Sequence, residues 1–175
     1  MISMVAGVRL PDAARVAFYH QDFLAKALGS WTQTTMREAS SWSISERELM
    51  AALVAKWDSC PFCIGAHSAI AIKGMPRETV ESAIADYRTA RLPSGFVATL
   101  VFLEKMTRTP AELSAADARE VLDAGVSRQA FDDAIAVAAI FNIIARYANA
   151  LDFAIPTPAE FNKSAELLLK RGYGS

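Results

Sequence analysis

The stretch SISERELMAALVAKWDSCPFCIGAH, residues 43–67, holds both cysteines of the chain and one of its two histidines. Its first half reads as a helix, with Ile44, Met50, Leu53, Val54 and Trp57 as apolar positions. Two Ser-x-x-Glu capping boxes overlap at its start, Ser43 with Glu46 and Ser45 with Glu48. Only one serine can be the N-cap. One glutamate is therefore left over for another role, although an exposed first-turn carboxylate near the positive end of a helix would also be ordinary.

The second half restarts the helix. Pro61 directly follows Cys60, and proline suits the first helical position because the N–H it lacks would be an orphan there, which makes Cys60 the expected N-cap. Free N–H groups at that end favour a thiolate. Residues three apart on a helix are neighbours, so Cys60 and Cys63 can approach closely enough for a disulfide. Residues four apart share a face, which sets His67 beside Cys63 as a base or a stabilising cation. Two plainer readings compete. Cysteine is often simply a small buried hydrophobe, and zinc would need a further ligand such as His20 or a carboxylate, with no second paired hook in the chain.

Outward from this stretch the sequence is helical almost throughout. Helices are predicted from Asp12 to Leu28, closed by Gly29, and more weakly from Thr32 to Ala39. The Cys60 helix should stop near Gly74, ahead of Met75-Pro76. Further helices are predicted over Arg77–Tyr87, Phe96–Met106, Ala115–Leu122, Arg128–Leu151 and Pro158–Lys170. Sustained period-two alternation and hairpin turn dipeptides are absent. The expected fold class is all-α, a compact helical bundle forming one domain over residues 1–175, with its core at about 10–165. The segment around Pro110 is the most linker-like, but too short to divide domains.

Composition limits the partners. With 175 residues, 53% of them hydrophobic, the chain can bury an ordinary core. Eighteen basic against nineteen acidic residues, with no long run of one sign, give no footprint for nucleic acid or a membrane surface. The amino end lacks the pattern of a secretory signal, and no apolar run reaches the ~18 residues of a membrane span. Two cysteines in a chain of this size fit a compartment that keeps thiols reduced, so a cytoplasmic location is expected.

The spacing Glu48-x11-Cys60-x2-Cys63-x3-His67 resembles the signature of the alkylhydroperoxidase D-like members of the carboxymuconolactone decarboxylase superfamily. IFNIIARYANAL, residues 140–151, is similar to the FNxxxRxAxAL helix of the peroxidase-related branch. The resemblance implies an all-helical fold assembled as a homo-oligomer, a trimer or hexamer, with no bound cofactor. It further implies a peroxidase that acts on small hydroperoxides and is regenerated by a lipoyl or thioredoxin-like dithiol. On the residues alone the order of the two thiols is open, because N-cap Cys60 has the better dipole position and Cys63 the adjacent base. The family pattern makes Cys63 the peroxidatic thiol and Cys60 the resolving one, with Glu48 and His67 as proton relay. One departure is Phe62, where alkylhydroperoxidase D proper commonly has histidine. Phe62 either lines an apolar pocket or packs in the core or at a subunit contact.

Asn142, Arg146 and Asn149 form a polar stripe on an otherwise apolar helix, suited to the cysteine pocket, to an interface or to solvent. Two other functions fit the same residues. One is decarboxylation of a muconolactone-like acid, although members with that activity generally lack the cysteine pair. The other is a non-enzymatic redox switch.

Overall fold

The computed structural model describes residues 4–5 and 8–173. A two-rung antiparallel pairing of β1 (Met4–Val5) with β2 (Val8–Arg9), not anticipated from the sequence, precedes an otherwise helical chain. The helices are α1 (Asp12–Tyr19), α2 (Gly29–Arg37), α3 (Ile44–Trp57), α4 (Pro61–Ala71), α5 (Arg77–Asp86), α6 (Ser94–Arg108), α7 (Ala115–Asp123), α8 (Arg128–Ala150) and α9 (Pro158–Arg171). The all-α class is borne out, with most ends within a few residues of their expected positions.

The first predicted helix needs correction. It ends at Tyr19, and Gln21–Leu28 winds as a π-helix that runs straight into α2. Gly29 does not terminate it. Its backbone is right-handed helical (φ −64°, ψ −43°), and an added Cβ would lie 3.3 Å from the Leu24 carbonyl, so glycine suits the crowded change from π to α winding. The Cys60 helix likewise ends at Ala71, before the turns that reach Gly74.

Helix α3 is central. Every residue from Arg47 to Ala55 is buried, the condition of a helix packed on all sides. It is surrounded by α2, α4, α5, α6 and α8. Its leucines, Met50 and Val54 join Phe96, Leu100, Leu103, Ile140 and Phe141 in the main core. Arg47 is buried because its guanidinium has backbone partners: Nη1 donates to the carbonyls of Thr35 (3.0 Å) and Glu38 (2.9 Å), which lie at the carboxyl end of α2. The N-terminus is capped as one of the two boxes required. Ser43 Oγ accepts from Glu46 N–H at 3.2 Å, and Glu46 Oε2 accepts from Ser43 N–H at 2.7 Å. Glu48 is thereby free of capping duty.

Helix α4 lies between α3 and α9. Close approach to α9 depends on Gly65, where an added Cβ would fall inside the Phe161 ring edge. Gly65→Ala is expected to cost about 1–3 kcal/mol through overpacking. The check is urea denaturation of the single variant and of Gly65→Ala/Phe161→Leu, which should recover part of the loss.

Candidate active site

Cys60 is the N-cap of α4 with Pro61 at the first helical position, as its sequence predicts. Both cysteines are free thiols, each 1% exposed. They sit in an apolar cluster with Ala55, Phe62, Ala145, Ala148 and Phe153. Interaction with the Cys63 thiol is the main influence on Cys60. It outweighs burial and, together with the backbone N–H groups of Cys63 and Phe62, brings the Cys60 thiol down to about 7. These N–H groups close no formal cap bond to the sulfur, yet their positive ends favour its anion. Cys63 moves the opposite way, pushed up by its interaction with Cys60, by burial and by the charges of Cys60 and Asp58. The two thiols influence each other directly, Cys60 moving down and Cys63 up, so their proton losses belong to the pair.

Deeper along α4, His67 Nδ1 meets Glu48 Oε2 at 2.6 Å. With Nδ1 engaged by the carboxylate, Nε2 is the ring nitrogen left for other partners. The imidazole packs edge-on to Phe141 with centroids 4.4 Å apart. Among the described residues no hydrogen bond joins His67 to Cys63, so the two share a helix face without direct contact through a proton.

Glu48 is completely buried and collects three partners. Besides His67, Arg37 Nη1 reaches Oε1 at 2.7 Å, and the Tyr173 hydroxyl donates at 2.9 Å to Oε1 and 3.1 Å to Oε2. Burial alone would raise the Glu48 carboxyl. The hydrogen bond and charge of His67, reinforced by Arg37, overcome it and hold the group below its ordinary value. Tyr173 is pushed well above the usual phenol range by burial and by the Glu48 charge, so it remains a donor. The Arg37 guanidinium also lies 4.6 Å from the centroid of the Tyr173 ring.

Sequence reasoning missed Arg37 and Tyr173. Arg37 ends a short, weakly patterned helix, and Tyr173 lies beyond α9 in a tail with no periodic signal. Only tertiary folding brings them to Glu48, with Tyr173 N–H anchored on Gln33 Oε1 at 2.7 Å.

Phe62 is 8% exposed and packs T-shaped on Phe153 (5.3 Å) and tilted on Phe161 (6.1 Å). It belongs to the apolar layer around the cysteines. His20 is exposed, its ring edge-on to Tyr19.

Solved structures share this architecture. An uncharacterized peroxidase-related protein from Silicibacter sp. TM1040 superposes with a TM-score of 0.78 at 27% identity, over 90% of this chain and 81% of that one. The alkylhydroperoxidase AhpD core of an uncharacterized peroxidase-related protein from Ralstonia eutropha JMP134 gives 0.78 at 23%, over 90% and 81%. In fold the chain is similar to the alkylhydroperoxidase D-like proteins. The alkylhydroperoxidase D-like fold is not confined to one reaction, since a cysteine-to-alanine variant of the debrominase Bmp8, solved with 2,3,4-tribromopyrrole, superposes with a TM-score of 0.75 at 21% identity over 89% of this chain and 83% of that one. No family model and no curated protein matches the sequence.

The polar stripe of α8 meets the turn that leads into Cys60. Arg146 forks onto the Asp58 carboxylate, Nη2 to Oδ1 at 2.9 Å and Nη1 to Oδ2 at 3.1 Å. Asn149 Nδ2 donates to the carbonyls of Asp58 (3.0 Å) and Ser59 (3.3 Å). Asn142 steadies Arg146, whose Nη1 donates to the Asn142 carbonyl (2.7 Å) and Oδ1 (2.6 Å).

Proposed function

We propose that the protein is a thiol-dependent peroxidase that reduces small hydroperoxides through a Cys63–Cys60 dithiol–disulfide cycle assisted by Glu48 and His67. The observation that carries this reading is a pair of buried free thiols at a helix start, one helical turn from a His67–Glu48 hydrogen bond of 2.6 Å.

In the proposed cycle the Cys63 thiolate attacks the peroxide oxygen. The O–O bond breaks, Cys63 becomes a sulfenic acid, and the alkoxide takes a proton to leave as alcohol. Cys60 then condenses with the sulfenic acid, releasing water and forming the disulfide. An external dithiol, lipoyl or thioredoxin-like, restores the pair by exchange and becomes a disulfide itself. Attack by Cys63 requires the resting proton arrangement to reverse, because Cys60 is the more acidic thiol at rest. The proton on Cys63 must pass to Cys60 or toward His67, whose tautomer Glu48 sets. Glu48 acts here chiefly as a fixed anion, held by Arg37 and Tyr173, that orients the imidazole.

A homo-oligomer fits the same reading. None of the residues of α1 or the π-helix is buried, and Phe18, Tyr19 and Phe23 are 59%, 85% and 55% exposed. Among the described residues no helix is long and apolar enough to cross a membrane.

Sustained consumption of t-butyl hydroperoxide with a dithiol reductant supports the enzyme. A single stoichiometric oxidation would replace it with the switch reading. Because a debrominase shares the fold, a brominated pyrrole belongs in the same assay as a competing substrate.

Tyr173→Phe provides a separate test of the Glu48 site. The ring and its stacking on Arg37 remain while one donor to the carboxylate is lost. A hydrogen bond to a charged group contributes about 1.5–3 kcal/mol. Glu48 is depressed in the folded state, so its contribution is complete above the ordinary carboxylate range and is lost as pH falls through its folded value. Removing the Tyr173 donor lessens that depression. Acid unfolding followed by circular dichroism should therefore begin at higher pH in Tyr173→Phe than in the native protein.

A further inference from the structure

Ser59, immediately before Cys60, has φ +55°, a left-handed backbone that a non-glycine residue adopts only when its surroundings impose it. The surroundings are on α8. Asn149 holds the carbonyls on either side of the Ser59 N–Cα bond, and Arg146 holds the Asp58 side chain with both arms of its guanidinium. Asn142 is anchored in turn, its Nδ2 donating to Thr107 Oγ1 at 3.0 Å and to the Ala138 carbonyl at 2.8 Å. A chain of hydrogen bonds thus runs from α6 through the outer stripe of α8 to the residue preceding the first cysteine. The far side of the turn is closed by Cys60 N–H on the Ala55 carbonyl at 2.8 Å.

We propose that Arg146 and Asn149 are positioning residues for the thiol site: they clamp the Asp58–Ser59 turn, fix the Cys60 sulfur at the start of α4, and let the Arg146–Asp58 pair govern the nucleophilicity of the dithiol. The proposal rests on the thiol reading of the site and not on peroxide being its substrate.

The physical logic is electrostatic as well as steric. Asp58 is a largely buried carboxylate two residues from Cys60, and its charge opposes ionisation of both cysteines. Arg146 offsets that charge while fixing its position. The titratable or charged groups that act on Cys60 are therefore Cys63 and Asp58, with Arg146 acting on Asp58. Glu48 and His67 lie one turn or more further along, on α3 and α4. Loss of Arg146 should make the dithiol less acidic, and loss of the Asp58 charge should make it more acidic.

The test is the pH dependence of iodoacetamide alkylation of reduced full-length protein, with Cys60 and Cys63 followed separately by mass spectrometry. Arg146→Met should raise the Cys60 alkylation midpoint by about one pH unit, and the near-isosteric Asp58→Asn should lower it by a similar amount. Asn149→Ala should lower the Cys60 alkylation rate at neutral pH by at least several-fold while leaving the Arg146–Asp58 pair in place. Shifts of opposite sign in the two charge variants support the clamp, because general loosening would move both the same way. Equal midpoints in all variants, or shifts of one sign, would overturn it. Should Arg146→Met not fold, Asp58→Asn decides alone, a downward shift supporting the proposal and no shift or an upward one refuting it. The readout needs no peroxide, so failure of the peroxidase reading leaves this result interpretable.

Discussion

Cys63→Ser is expected to abolish hydroperoxide consumption, while Cys60→Ser should consume one equivalent and stop with Cys63 as sulfenic or a higher acid. The difference follows from the division of labour between attacking and resolving thiols. It is a demanding expectation, because at rest the more acidic thiol is Cys60, brought to about 7, while Cys63 is raised. Acidity and nucleophilic role are separable. A thiolate attacks only if the peroxide can reach it, and its partner must be able to accept the displaced proton. If the outcomes are exchanged, with Cys63→Ser retaining one turnover and Cys60→Ser inert, Cys60 is the attacking sulfur and the order of the cycle is reversed. Stopped-flow peroxide consumption with trapping of the sulfenic acid distinguishes the two.

Glu48→Ala should destabilise the fold by about 3–5 kcal/mol, the typical consequence of removing one partner from a buried ion pair. The loss is large beside a total stability of roughly 5–15 kcal/mol. Its source is Arg37, whose side chain is 8% exposed and whose Nε and Nη2 have no hydrogen-bond partner among the described residues. Without Glu48 the guanidinium would be a buried charge left, among the described residues, with the Met36 carbonyl and the Tyr173 side chain. Replacing both ends, Arg37→Leu/Glu48→Leu, should recover much of the stability, since an apolar pair avoids desolvating two charges. Thermal or urea denaturation measures this directly. A double variant no more stable than Glu48→Ala would mean that the packing around these residues, rather than the charge left behind, carries the loss.

The contrast between Glu46 and Glu48 shows what the sequence makes legible. Two capping boxes could not both form, so one glutamate had to be explained otherwise, and the structure puts Glu46 on the cap and Glu48 against His67. Likewise Pro61 after Cys60 located the start of α4 to the residue. Both signals are local, set by hydrogen-bond needs within a turn. Arg37 and Tyr173 could not be read in this way, because they are brought to Glu48 by folding and lie 11 and 125 residues from it in sequence. The change from α to π winding before Gly29 was equally hidden, since the apolar spacing of that segment does not distinguish the two. The stripe of Asn142, Arg146 and Asn149 lies between these cases. Its spacing announced a shared face, but only the structure showed that the face grips Asp58 and Ser59.

The most direct test is to incubate reduced protein with t-butyl hydroperoxide and a dithiol reductant while mass spectrometry follows residues 60 and 63. Catalytic consumption accompanied by a Cys60–Cys63 disulfide is the expected result. No consumption, with both thiols still free, would contradict the peroxidase cycle and leave an alkylhydroperoxidase D-like fold whose dithiol serves another reaction.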